Sequence, residues 1–160
     1  MATKAKKTWA QKLADSKDLP KVVTLDAAAA KRWGGATLAI PAPRDIDALM
    51  RRVPAGRVTT INELRAAVAR RHHAGAACPI TTGIFSWIAA NAAEEALAAG
   101  AEAITPYWRT LKTGGELNPK YPGGIAGQKR RLTAEGHRFI KKGARTFVRD
   151  CDRVLHSPAS

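Results

Sequence analysis

The sequence predicts an α+β fold, mostly helical, built around two consecutive amphipathic helices behind an N-terminal extension. Three observations predict it. First, Thr60-Ile61-Asn62-Glu63 is a capping box, in which a threonine and a glutamate three residues apart satisfy each other's backbone amides and start a helix. Second, Gly75 breaks that helix's pattern, and Pro79 then suits the first position of another. Third, short runs at 21–25 and 36–40, bounded by turn residues, read as strands. Two helices joined by a glycine-containing turn make a helix-turn-helix candidate, although this turn exceeds the usual ~3–4 residues.

The elements follow in order. Trp9 and Leu13 are four apart, which allows one short helix within a basic tail over residues 1–20. The strand at 21–25 leads to Asp26, a capping residue for a helix over 27–32 that Gly34-Gly35 stops. Pro41 and Pro43 end the strand at 36–40. Ile46, Leu49, Met50 and Val53 share one helical face over 45–53. After the capping box, Ile61, Leu64 and Val68 form a buried stripe, with Arg65, Arg70 and Arg71 on the polar face. In the helix over 79–99, Ile80, Ile84, Trp87 and Ile88 form the stripe expected to face inward, leaving Thr81, Thr82, Ser86 and Asn91 outside it. The segment 105–111 reads as extended, and with the turn at 113–115 it predicts a small hairpin or wing. A helix over 125–134 places Ile125 and Leu132 inward and Lys129, Arg130 and Arg131 outward. Residues 137–142 predict a short strand. The spacing of Phe147, Val148, Cys151, Val154 and Leu155 predicts a last helix.

The 160 residues suffice for one ordinary domain with a modest tail. The expected division is a basic tail over 1–20, a small extension with short strands over 21–44, and a winged helix-turn-helix domain over 45–160. Lys and Arg total 27 against 13 Asp and Glu, a net charge of +14 that attracts polyanions. Nine cations and one acid, Glu135, fall within 120–149, a density that favours phosphate contacts over mere solubility. Nucleic acid is the commonest such partner, and a membrane surface is the rival. No apolar run approaches the length of a bilayer span. The Lys-rich start has no following hydrophobic stretch and so does not read as a secretory signal. A cytoplasmic or nucleoid-associated monomer is expected. Two cysteines, Cys78 and Cys151, permit one disulfide, but free thiols are expected in a reducing compartment. His72, His73 and Cys78 match no zinc spacing, so neither metal nor cofactor is expected.

Residues 53–136 resemble the DNA-binding domain of the alkylguanine-DNA alkyltransferases, in an ordered series of short motifs. Val53-Pro54-Ala55-Gly56-Arg57-Val58-Thr59-Thr60 is similar to that family's proline-glycine approach to its first helix. The helix from Pro79, ending near Asn91, resembles its recognition helix. Pro106-Tyr107-Trp108-Arg109 stands where the family has Pro-Cys-His-Arg. Tyr121-Pro122-Gly123-Gly124 resembles the tyrosine and paired glycines of the substrate-pocket loop, and Glu135-Gly136 the closing Glu-Gly. The resemblance covers about half of the chain and leaves the first ~50 residues outside it.

The departures shape what the resemblance implies. The family's cysteine takes the alkyl group, since a thiolate is a strong soft nucleophile, and the adjacent histidine helps to deprotonate it. Tyr107 and Trp108 replace both, which points to the alkyltransferase-like branch. Those proteins have tryptophan at the cysteine position, bind alkylated guanine flipped from the duplex without removing the alkyl group, and pass the lesion to excision repair. The implied base pocket comprises Tyr107, Trp108, Tyr121, Gly123, Gly124 and Glu135. The implied DNA contacts are Thr60, Thr81, Thr82, Ser86, Arg109, Lys129, Arg130 and Arg131. Thr82 falls where the family has the arginine that fills the gap left by the base, with Arg70 or Arg71 as substitutes, and Ile61 replaces a frequent tyrosine. Three alternatives stand beside this reading. Tyr107 and Trp108 could fill the old cavity. Cys78, at a helix amino end, could be a displaced acceptor in an active methyltransferase. The domain could be a general nucleic-acid-binding or protein-interaction module.

Overall fold

A computed structural model describes residues 5–159; residues 1–4 of the predicted tail lie outside them. Local signals set most of the helix ends. Thr8 caps α1 (Trp9–Ala14) and Asp26 caps α2 (Ala27–Trp33), accepting from Ala29 N at 2.8 Å. Between them lies β1 (Lys21–Thr24), and β2 (Thr37–Ile40) follows. The Asp45 carboxylate accepts from Ala42 N at 2.9 Å and starts α3 (Pro43–Arg51), two residues earlier than the stripe predicts. After β3 (Thr59–Thr60), the Thr60 hydroxyl accepts from Glu63 N at 3.4 Å and starts α4 (Ile61–Arg71). The reciprocal half of the box does not form, because the Glu63 carboxylate accepts from the Ser157 hydroxyl at 2.6 Å instead. Next come β4 (Ala76–Ala77) and α5 (Pro79–Ala98), which begins at the proline as predicted.

The long turn between α4 and α5 has a physical cause. It contains β4, which pairs in parallel with β2 through Leu38↔Ala76 and Ala39↔Ala77. Strand β2 also pairs antiparallel with β1, from Lys21↔Ile40 to Thr24↔Thr37. Residues 21–40 therefore join β4 in a small three-stranded sheet seated on the turn between α4 and α5. Leu38, Ala76 and Cys78 bury a small second core there, against Val23 and Trp33. The junction is tight, since a Cβ on Gly35 would stand 2.7 Å from the backbone of Gly75.

Downstream, one expectation holds in part and one fails. The segment after α5 is extended only at β5 (Thr110–Leu111), which follows a 3-10 turn at Tyr107–Arg109 and pairs in parallel with β3 inside the core. The turn at 113–115 closes a small hairpin through the antiparallel Lys112↔Glu116 bridge. Past α6 (Gly124–Ala134), β6 (Phe139–Lys142) and β7 (Arg145–Val148) form an antiparallel hairpin, with Ile140 opposite Phe147. The predicted last helix is thus a strand followed by a 3-10 turn at Cys151–Arg153. Gly143, at φ +62°, lets the chain reverse where the helical spacing gave no warning.

The principal core joins α3, α4 and α5 through Ile46, Met50, Leu64, Val68 and Ala90, and runs on to Leu111, Leu117 and Leu132. Residues 154–159 form a strap across the α3–α4 side. Val58 bridges Leu155 in parallel. Arg70 donates to Pro158 O at 3.1 Å, and Arg52 to Ala159 O at 2.8 Å. No described helix is long and apolar enough to cross a membrane.

Candidate nucleic-acid interface

Helix α5 carries two stripes at helical spacing on opposite faces, and the inward one is the reverse of that predicted. Thr82 and Ser86 are 0% and 1% exposed, and Ala89, Ala90 and Ala93 continue their face. Small side chains allow α5 to lie close against α1 and α3. The two hydroxyls need no outside partner: Thr82 Oγ1 donates to Cys78 O at 2.7 Å and Ser86 Oγ to Thr82 O at 2.8 Å. Neither therefore reaches DNA, contrary to the sequence expectation. Thr81 is half-buried, and among the described residues its hydroxyl has no hydrogen-bond partner. Thr60 is buried with its hydroxyl spent on the α4 cap.

The opposite stripe faces outward. Ile80 is 60% exposed, Ile84 47% and Trp87 37%. Together with Ile61, Gly83 and Pro119 they line a cavity of about 480 Å³, flanked by Lys112 and Lys120. The Trp87 indole N–H donates to Lys120 O at 3.1 Å and ties the 118–120 loop to the helix. Apart from its chain neighbours and the adjoining helix backbone, nothing among the described residues lies within 4 Å of where a Gly83 Cβ would stand. A glycine inside a helix costs roughly 1 kcal/mol relative to alanine. Packing within this chain does not require one here.

The predicted base pocket is a filled cluster. Tyr107, Trp108 and Tyr121 are all buried, with Tyr107 2% exposed. Tyr107 meets Trp108 and Tyr121 edge-to-face at 5.3 and 5.5 Å. The Tyr107 hydroxyl donates to Glu94 at 2.6 Å, and burial, then that carboxylate, push its pKa well above the ordinary phenol. Burial raises Tyr121 likewise. Gly123 and Gly124, at φ +80° and +63°, turn the chain into α6. Gln128 accepts from Asn118 N at 2.8 Å and donates to Trp108 O at 3.2 Å, joining this cluster to the cavity loop.

Glu135 is the electrostatic hub behind the cluster. It accepts from Trp108 Nε1 at 3.1 Å and from Arg109 Nη2 at 2.6 Å. Burial alone would raise its pKa, but the bonds from Arg109 and Trp108 and the Arg109 charge outweigh it, so the carboxyl sits below its usual range. Arg109 also donates to Val53 O at 2.7 Å and is thereby committed inside the protein, not to phosphate. Arg131 is likewise occupied: it stacks 4.4 Å from the Trp108 ring and pairs with Glu94 at 2.7 Å. Of the predicted cations on α6, Lys129 and Arg130 are exposed. Arg70 is held by the strap, which leaves Arg71 exposed. Cys78 is buried in the small core beside Leu38, which removes it as a displaced acceptor. Both cysteines are free thiols. Among the described residues, no cluster of three metal-ligating side chains occurs.

Sequence reasoning missed Ile80, Gly83, Ile84 and Trp87 as an outward face, and Lys112, Asn118 and Lys120 beside it. Gly83 was the available signal, because a glycine in mid-helix asks for a reason. Glu94 and Gln128 gave no sequence signal.

No family model matches the chain, and no curated protein matches it. Two crystal structures of S. pombe proteins resemble it. One is Atl1 in complex with damaged DNA containing O6-carboxymethylguanine, 18% identical with a TM-score of 0.48. The other is ATL in complex with DNA, 17% identical with a TM-score of 0.45. Each match covers 72% of this chain and 94% of the other.

Proposed function

We propose that this chain is a DNA-binding protein of the alkyltransferase-like kind, which holds an alkylated guanine outside the duplex without removing its alkyl group. The observation that carries the reading is the outward face of α5, where Ile80, Ile84 and Trp87 surround a glycine beside a cavity flanked by two lysines. Apolar side chains are used as wedges between base steps by proteins that enter the minor groove. The missing Gly83 side chain lets a backbone or base come close to the helix. Flipping a base costs a few kcal/mol of unstacking, and apolar walls recover part of it. The cavity lies within the ~300–1,000 Å³ of small-ligand sites. Lys112 and Lys120, with a net charge of +14 behind them, favour a polyanion over a neutral protein partner.

The same reading assigns no alkyl transfer. The residue at the acceptor position, Tyr107, is buried and neutral, with its hydroxyl bound to Glu94. A lesion that is held but not repaired requires removal by other proteins, so excision-repair factors are the proposed downstream partners.

The test is paired binding to duplexes with and without O6-methylguanine, across a salt series, with intact-mass measurement of the protein afterwards. The reading expects affinity that falls steeply with salt, tighter binding to the lesion, and unchanged protein mass. Equal binding to both duplexes would remove lesion recognition, and a mass gain of one methyl group would remove the non-enzymatic assignment.

A further inference from the structure

Helix α1 has six residues, too few to be stable alone, yet it is fastened to α5 beside the cavity. Glu95 of α5 accepts from the backbone N–H groups of Trp9 at 3.0 Å and Ala10 at 3.1 Å. The Trp9 ring meets Trp87 edge-to-face, with centroids 4.8 Å apart and planes at 86°. The Lys12 ammonium stands 4.1 Å from the Trp9 ring centroid. Trp87 lines the cavity and fixes Lys120 through its indole N–H. A continuous row therefore runs from Lys12 through Trp9 and Trp87 to the cavity wall. Of the nearby acids, Asp15 is paired with Lys7 at 2.8 Å and Glu95 is engaged by the α1 amides. Among the described residues, neither Asp15 nor Glu95 forms an ion pair with Lys12.

We propose that α1 is a working part of the nucleic-acid interface: Trp9 is a positioning residue that holds Trp87 at the cavity wall, and Lys12 meets a backbone phosphate beside it. The inference rests on the DNA-binding reading above. A tryptophan on an exposed helical face samples several rotamers and loses that freedom when a ligand packs on it. An edge-to-face partner removes the loss in advance. Lys12, seated on an aromatic face, keeps its charge at a fixed place at the edge of the site.

The experiment uses the full chain and a short unmodified duplex, with dissociation constants measured across a potassium chloride series and thermal unfolding alongside. Trp9→Ala weakens duplex binding by about tenfold, the size of one edge-to-face pair, while Trp9→Phe keeps an aromatic edge and restores most of it. Lys12→Gln lowers the slope of log K against log salt by about one, the signature of one lost phosphate contact. If Trp9→Ala lowers the melting temperature but leaves the affinity of the folded protein unchanged, α1 is only a buttress and the inference falls. An unchanged salt slope in Lys12→Gln removes the phosphate contact. A wild-type chain that ignores the duplex takes the DNA-binding reading down as well. A wild type that binds, with variants that match it, removes only the role of α1.

Discussion

The Tyr107 cluster and the α5 cavity are both aromatic and both flanked by cations, but they differ in what is left over. In the cluster every charge found a partner inside the chain: Arg109 with Glu135, Arg131 with Glu94, and the Tyr107 hydroxyl with Glu94. At the cavity, isoleucines and a tryptophan stay in water, and a glycine sits where nothing fills the space. Large apolar side chains left exposed together on one helix mark a binding surface, whereas a satisfied buried network marks architecture. The motif resemblance pointed to the first region, and the physical chemistry points to the second.

The largest effect that would sharpen this contrast is at Tyr107. Tyr107→Ala removes a buried ring and should cost about 3–5 kcal/mol in urea unfolding, while the folded fraction binds duplex as the wild type does. Lost binding at wild-type stability would break the contrast and make the cluster a site. Gly83→Ala should act in the opposite sense. It should stabilise the chain by up to about 1 kcal/mol, because the helix gains propensity and the new methyl meets nothing, yet weaken duplex binding by filling the approach to the helix. A variant that gains stability and keeps its affinity would show that no ligand comes near this position. The smallest effect is in acid. Glu135 is held below its usual pKa in the folded chain, so its contribution is present at neutral pH and is lost as pH falls through and below the usual carboxylate range. Glu135→Gln should flatten the stability profile over that window, and a profile parallel to the wild type's would mean that Arg109 does not hold the carboxylate.

Much of the fold was legible because its signals are local. Thr60, Asp26 and Pro79 mark helix starts that the chain adopts, and the strand at 21–25 and the helix at 125–134 lie within a residue or two of their predicted bounds. What failed was the choice between two faces. Periodicity finds stripes on α5 but does not say which is buried. The default of turning isoleucine inward lost to a face of alanine, threonine and serine that packs closer and satisfies its own hydroxyls. The sheet that joins β1, β2 and β4 was not foreseen, because β4 is two alanines long and exists only through its pairing with β2, which no local pattern announces. The predicted base pocket failed because a motif records which residues occur, not whether their polar groups are already spoken for. Glu94, which takes up the Tyr107 hydroxyl and Arg131, lies on α5 just past Asn91 and belongs to none of the motifs that suggested the pocket.

The strap formed by residues 154–159 sets an order of assembly. Ser157 binds Glu63 across 94 residues of sequence, and Pro158 receives Arg70 across 88. Contacts this distant form slowly, because a long loop must close before they return any energy. The α3–α4 side therefore acquires these hydrogen bonds only after residues 157–159 have been synthesised, and α5 packs on a scaffold that a segment distant in sequence completes.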